Sequence, residues 1–282
     1  MSVPVFSSVA DLREQVRDWR RAGETIALVP TMGALHRGHL ALVEEGRARA
    51  TRTIASIFVN PTQFAPTEDF SAYPRTFESD LAKLAEARAD GCFAPTVADM
   101  YPPGFSATVT LAGPAKADLE DRFRPTHFAG VATVVAKLLN QVQPDVAIFG
   151  QKDFQQLLVI RAMARDLDLP VEIVGAPTVR ESDGLALSSR NVYLSSEERA
   201  TAPALQRALQ QCAQDIAGGR STAEAVATAA ATVSAAGFAL DYLEARDARD
   251  LAPAEAGAPL RLLVAAKLGR TRLIDNIAAS AP

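Results

Sequence analysis

The chain has 282 residues, 48% of them apolar, and a formal net charge of −4 spread over interspersed acids and bases. That length and composition suit one large domain or two unequal ones and argue against a disordered chain, while no apolar run approaches the ~20 residues a bilayer span needs. The first residues do not read as a secretory signal, the two cysteines (Cys92 and Cys212) suit a reducing cytoplasm and form no disulfide or zinc pattern, and no basic stripe with stacking aromatics points to nucleic acid.

Strand-sized apolar runs alternate with helical patterns through the first two-thirds of the chain. A run over 25–29 reads as a strand, followed by a loop over 30–38 and a helix over 40–50. A second strand is expected over 54–59 and a helix over 77–89, where Phe77, Leu81 and Leu84 fall on one face and Asp90-Gly91 gives the stop. A buried helix over 131–142, a strand over 146–149, a helix over 154–167 and a strand over 171–174 follow. Such alternation implies a parallel sheet covered on both faces, an α/β Rossmann-like fold. In open sheets of this kind ligands lie beyond the carboxyl ends of the strands, so 30–38, 60–70 and 150–153 are the segments to inspect.

After about residue 178 the character changes. Ser195 and Glu198 form a capping-box pattern before a long Ala/Leu/Gln-rich helix ending near Gly218-Gly219. A second helix over 222–236 and strands over 238–244 and 260–267 complete a smaller α+β domain. The expected division is 1–178 and 179–282, with 180–191 as hinge.

The most informative stretch is Pro30-Thr31-Met32-Gly33-Ala34-Leu35-His36-Arg37-Gly38-His39. It joins a strand to a helix start, where unpaired N–H groups and the positive dipole end favour phosphate. Imidazoles at that point can donate hydrogen bonds to phosphoryl oxygens, and Gly38 between them lets backbone approach an anion. A metal pair is the alternative, but it needs further ligands and His127 is the only other histidine. Gly150-Gln151-Lys152-Asp153 follows a strand, and its lysine is a candidate point charge for phosphate. Leu187-Ser188-Ser189-Arg190 combines two hydroxyls with a guanidinium, a donor set suited to polyphosphate. Asn60 and Gln63 after the second strand, and Gln155-Gln156 after Asp153, offer neutral amides suited to a small hydroxylated acid.

Together these segments resemble the pantoate–β-alanine ligase (pantothenate synthetase) family of the HxGH nucleotidyltransferases. The resemblance rests on residues 30–39, Phe58-Val59-Asn60-Pro61-Thr62-Gln63-Phe64, Ala72-Tyr73-Pro74-Arg75-Thr76, Arg124-Pro125, His127-Phe128, Gly130-Val131, residues 150–156, residues 183–191 and Thr271-Arg272-Leu273-Ile274-Asp275-Asn276. It implies ATP-driven condensation of pantoate with β-alanine through a pantoyl adenylate, releasing AMP and pyrophosphate, by a cytoplasmic homodimer with a small carboxy-terminal lid. It further implies that Pro30, Thr31, Met32, Gly33, Ala34, Leu35, His36, Arg37, Gly38 and His39 bind ATP, with Gly150, Gln151, Lys152, Asp153, Val179, Leu187, Ser188, Ser189 and Arg190. His39 matches the catalytic histidine; His36, Lys152, Ser188, Ser189 and Arg190 are expected to offset phosphoryl charge. Asn60, Gln63, Gln156 and Met32 are expected to meet pantoate, Gln63 also β-alanine, and Mg²⁺ to accompany ATP without an assigned protein ligand. Asp121 and Thr126 stand where the family often has glycine. Rival readings are an HxGH nucleotidylyltransferase passing AMP to a phosphorylated acceptor, a tRNA-synthetase fragment lacking its Lys-Met-Ser-Lys-Ser signature, and a non-catalytic nucleotide-binding module.

Overall fold

The computed structural model describes residues 2–65, 70–255 and 257–280, so residues 66–69 of the expected 60–70 segment lie outside the described residues. The chain forms two compact units, Met1–Gln151 with Val159–Pro177, and Lys152–Leu158 with Thr178–Pro282.

The first unit runs β1 (Val5–Phe6), α1 (Val9–Arg21), β2 (Ile26–Thr31), α2 (Arg37–Arg49), β3 (Arg52–Ile57), α3 (Phe77–Glu86), β4 (Gly91–Phe93), α4 (Val97–Met100), α5 (Glu120–Phe123), α6 (His127–Val142) and β5 (Val146–Gly150). Residues 159–166 of α7 (Phe154–Asp166) and β6 (Glu172–Ala176) complete it. Its sheet has the order β1-β4-β3-β2-β5-β6 with every pairing parallel, β2 and β3 being in register from Ile26↔Arg52 to Thr31↔Ile57. Strands sealed on both faces need apolar side chains on both, which is why Ile26, Leu28, Ile54 and Ile148 are fully buried in near-continuous apolar runs. From the neighbours β2 and β5 the chain proceeds toward opposite edges of the sheet. That reversal is where a doubly wound sheet opens a crevice.

The Rossmann-like expectation is met, and α1, β1, β4, α4 and α5 add to it. Helix α1 carries only Leu12 and Val16 as buried residues among charges, under the Ser8 cap. Strands β1 and β4 are two and three residues long, too short for an alternation signal.

The second unit contains residues 154–158 of α7, α8 (Ser196–Thr201), α9 (Ala204–Ala217), α10 (Thr222–Ala235), β7 (Ala239–Asp247), β8 (Leu260–Leu268) and β9 (Thr271–Ala279). The single long helix expected after Ser195 is two helices. The capping box is present, but Pro203 has no N–H to continue the ladder from α8, and a new helix begins behind it. A third strand, β9, joins the two expected: it pairs antiparallel with β8 across a two-residue turn whose first position is Gly269 at φ +54°. Leu205, Leu209, Cys212 and Ile216 of α9, Ala225, Ala229 and Val233 of α10, and Leu262, Val264 and Ala266 of β8 form this unit's core. Among the described residues no helix is long and apolar enough to cross a membrane.

Candidate active site

The chain leaving β2 is shaped before it reaches the histidines. Thr31 Oγ donates to the Ser56 carbonyl at 2.7 Å and accepts from the Gly33 N–H at 3.2 Å, fixing the strand exit. Gly33 (φ +80°) and Ala34 (φ +50°) then take two consecutive left-handed steps, turning the backbone toward α2. Leu35 buries its side chain in the sheet core, so only its backbone can face a ligand.

Helix α2 begins at Arg37, three residues earlier than its apolar pattern shows, with His36 as its N-cap and His39 in its first turn. His36 Nδ1 accepts from the Gly38 N–H at 3.2 Å, and His39 Nδ1 accepts from the His36 N–H at 3.3 Å, a capping box made by two imidazoles. Their rings lie 4.1 Å apart between centroids. A nitrogen that accepts cannot carry the proton, so these bonds put each ring's hydrogen on Nε2. The first turn of α2 therefore carries two Nε2–H groups beside its own N–H groups; Met32, Gly38 and both rings are half-buried, and the Arg37 side chain is exposed.

The turn after β3 is built as tightly. Asn60, 1% exposed, accepts from the Tyr101 hydroxyl at 2.8 Å and from Thr62, and donates to the Gly130 carbonyl at 3.2 Å and to Gln63 Oε1 at 3.1 Å. That last bond settles the Gln63 amide orientation: its Nε2 is turned to Met32 Sδ at 3.0 Å. Burial holds the Tyr101 phenol above its ordinary pKa, which keeps it a donor. The Gln63 carbonyl accepts from His127 Nδ1 at 2.9 Å and from Arg124 at 3.3 Å, and Arg124 also donates to His127 Nε2 at 3.2 Å. Tyr101 was not foreseen as part of this arrangement. It lies 41 residues from Asn60 and nothing local in Met100-Tyr101-Pro102 marks it.

The first unit thus brings together Met32, Asn60 and Gln63, and carries residues 30–39 and Gly150-Gln151, with Gln151 Nε2 bonded to the Gly175 carbonyl at 2.9 Å. The second unit carries the remaining expected residues: Lys152, Asp153, Gln156, Val179 and residues 187–190. Within it, Asn276 Nδ2 donates to the Lys152 carbonyl at 2.7 Å while Asn276 Oδ1 accepts from Arg261 Nε at 2.6 Å, and the Arg261 guanidinium lies 4.1 Å from the Phe154 ring centroid. The strand β9 therefore anchors the backbone of Lys152 from 124 residues away. The Lys152 ammonium lies 3.9 Å from the Asp153 carboxylate, the former mostly buried and the latter exposed. Val179 and Leu187 are joined by a backbone bond at 3.0 Å across a turn gripped by Arg180, which makes a bidentate pair with Asp275 at 2.6 and 2.9 Å. Ser188 caps the short helical turn that carries Ser189 and Arg190, accepting from the Arg190 N–H at 3.3 Å. Among the described residues no group of three or more His, Cys, Asp or Glu side chains could hold a metal ion.

A family model described as pantoate-beta-alanine ligase matches residues 4–278. The chain is 59% identical over 276 residues to the pantothenate synthetase of Rhodopseudomonas palustris HaA2, covering 97% of this chain and 98% of that protein. A crystal structure of pantothenate synthetase from Thermus thermophilus is similar at 50% identity and a TM-score of 0.91, covering 98% of this chain and 99% of that one. The Francisella tularensis pantoate-beta-alanine ligase, crystallised in complex with beta-gamma ATP and beta-alanine, is similar at 32% identity and a TM-score of 0.80, covering 98% of both chains.

Proposed function

The chain belongs to the pantoate–β-alanine ligase family, and from that premise we propose that it condenses pantoate with β-alanine, converting ATP to AMP and pyrophosphate. The observation that carries the site assignment is the pair of Nε2–H imidazoles capping α2. A carboxylate is a poor acylating agent because its leaving group would be oxide. Attack by the pantoate carboxylate on the α-phosphorus makes that oxygen part of a phosphate leaving group, and charge grows on the α-phosphoryl oxygens and the departing pyrophosphate. His36, His39 and the first N–H groups of α2 are assigned to that charge. Lys152, Ser188, Ser189 and Arg190 are assigned to the triphosphate as well, Lys152 as a compact charge on a backbone tied by Asn276.

Asn60, Gln63 and Met32, with Gln156, are assigned to pantoate. The Asn60 bond to Gln63 Oε1 supports this, because it leaves the Gln63 amide fixed instead of rotating. The amine of β-alanine then attacks the mixed anhydride and AMP leaves, a step that needs proximity and dryness more than a strong base. An enzyme passing AMP to a phosphorylated acceptor would need a basic pocket, and neutral amides line the 60–63 turn instead.

Mg²⁺ fits this chain as an ion borne by ATP. It favours phosphate oxygens and water over all-protein cages, no cluster of ligating side chains exists among the described residues, and Asp153 is the exposed carboxylate next to Lys152. It would lower the charge on the β- and γ-phosphates. The same reading makes 1–178 a catalytic domain and 179–282 a lid hinged over 180–191, and the protein a cytoplasmic homodimer; sedimentation of the purified chain tests the last point.

Pantoate-dependent exchange of labelled pyrophosphate into ATP, without β-alanine, tests the whole reading. His39→Ala is expected to lower that exchange by on the order of 10²-fold, and Lys152→Ala to weaken both ATP binding and rate. Exchange that proceeds equally well without pantoate, or an unaffected His39→Ala variant, refutes the assignment.

A further inference from the structure

The loop that delivers the two imidazoles is held from behind by a helix that no part of the proposed chemistry uses. Asp80 in α3 is 1% exposed, and its two carboxylate oxygens accept the N–H groups of Ala34 and Leu35, each at 2.8 Å, with Thr76 Oγ donating at 3.1 Å. One turn on, Lys83 Nζ donates to the Leu35 carbonyl at 2.7 Å and stands 3.9 Å from Asp80. The two side chains thus grip Ala34 and Leu35, the two residues that precede His36.

The grip acts where the backbone has least reason to stay. Ala34 holds φ +50°, a conformation that side-chain-bearing residues rarely adopt and that persists only when its surroundings over-determine it. A carboxylate accepting two backbone N–H groups supplies charge-assisted bonds, about twice as strong as neutral ones. A Cβ on Gly33 would come within 3.2 Å of Asp80 Oδ2, so the loop and the carboxylate are in close contact along their length. A buried carboxylate is a costly way to hold a loop that needed only stability. A rigid mount for donors whose placement sets a rate gives that cost a purpose.

We propose that Asp80 and Lys83 are positioning residues for the adenylation step: by fixing the backbone of Ala34 and Leu35 they set the direction of the His36 and His39 Nε2–H donors. This rests on the assignment of those histidines to the phosphates. Asp80→Asn keeps the shape but sets an amide NH₂ against one of the two backbone N–H groups; Lys83→Met removes the second grip at a partly exposed position.

The test measures two half-reactions separately: pantoate-dependent pyrophosphate exchange, and β-alanine attack on supplied pantoyl adenylate. Displacing catalytic donors by a fraction of an ångström to 1 Å costs on the order of 10- to 100-fold. Asp80→Asn is therefore expected to slow exchange within that range while aminolysis changes less than about threefold, and Lys83→Met to slow exchange alone by a smaller factor. In the His39→Ala background Asp80→Asn should act less than multiplicatively, because one of the two groups it positions is gone. If Asp80→Asn does not fold, Lys83→Met decides by the same two readouts. Equal loss in both half-reactions in proportion to the folded fraction, or fully multiplicative effects of Asp80→Asn and His39→Ala, overturns the proposal. An undiminished exchange in His39→Ala alone would instead refute the histidine assignment on which it rests.

Discussion

Replacing Gly130 by alanine sets helix propensity against close packing, and the structure decides the sign. Gly130 lies within α6, where alanine is favoured over glycine by about 1 kcal/mol. A Cβ there would lie 2.4 Å from the Thr62 carbonyl oxygen, 2.7 Å from its carbon and 2.9 Å from Gln63 Cα. All three are backbone atoms, so no flexible side chain can swing aside. Comfortable contact needs the helix and the 61–63 turn to part by about 1 Å, and overpacking of this kind costs about 1–3 kcal/mol. The same parting strains the bond from Asn60 to the Gly130 carbonyl, which shares its amide with Gln63. The expected result for Gly130→Ala is a net stability loss of up to about 2 kcal/mol, by urea unfolding, once the propensity gain is subtracted from the clash. With it should come a fall in kcat/KM for pantoate of on the order of 10- to 100-fold, while KM for ATP moves far less. A variant with unchanged pantoate kinetics and a raised unfolding midpoint would show that the turn yields freely, and the account of how Gln63 is held would fail.

Three further outcomes follow from buried groups. Asp275→Asn removes one charge from the Arg180–Asp275 pair, whose carboxylate is 3% exposed, and should lower stability by about 3 kcal/mol; a loss under about 1 kcal/mol would mean the pair is relaxed in solution. Burial pushes the Cys92 thiol up to about 12 and the Cys212 thiol up to about 11, so neither should react with an alkylating reagent near about pH 8 in the folded protein, and both should after unfolding. Because the folded Cys92 value lies above its ordinary 9.0, the stability tied to the neutral thiol is complete below that pH and is lost as pH rises toward 12. Cys92→Ala should remove that part of the alkaline slope; an identical slope in the variant would contradict it.

The parallel sheet was legible because each of its long strands is a local apolar run and each covering helix a local period, so short windows of sequence carry the signal. The His36–His39 site was legible for a similar reason: the strand, the glycines and the helix start that make an anion seat are all neighbours in the chain. The break at Pro203 has a local cause, the missing N–H of a proline, whereas the third strand β9 is set by its pairing with β8. What the tertiary structure alone decided is how the reactive groups are aimed. Asp80 reaches Ala34 across 46 residues, Gly130 clears a path for the 61–63 turn, Tyr101 and Asn60 orient Gln63, and Asn276 ties Lys152 across 124 residues. Residue type and spacing state which groups can take part in a reaction; their direction comes from hydrogen bonds between distant segments, and those exist only once the chain has closed upon itself.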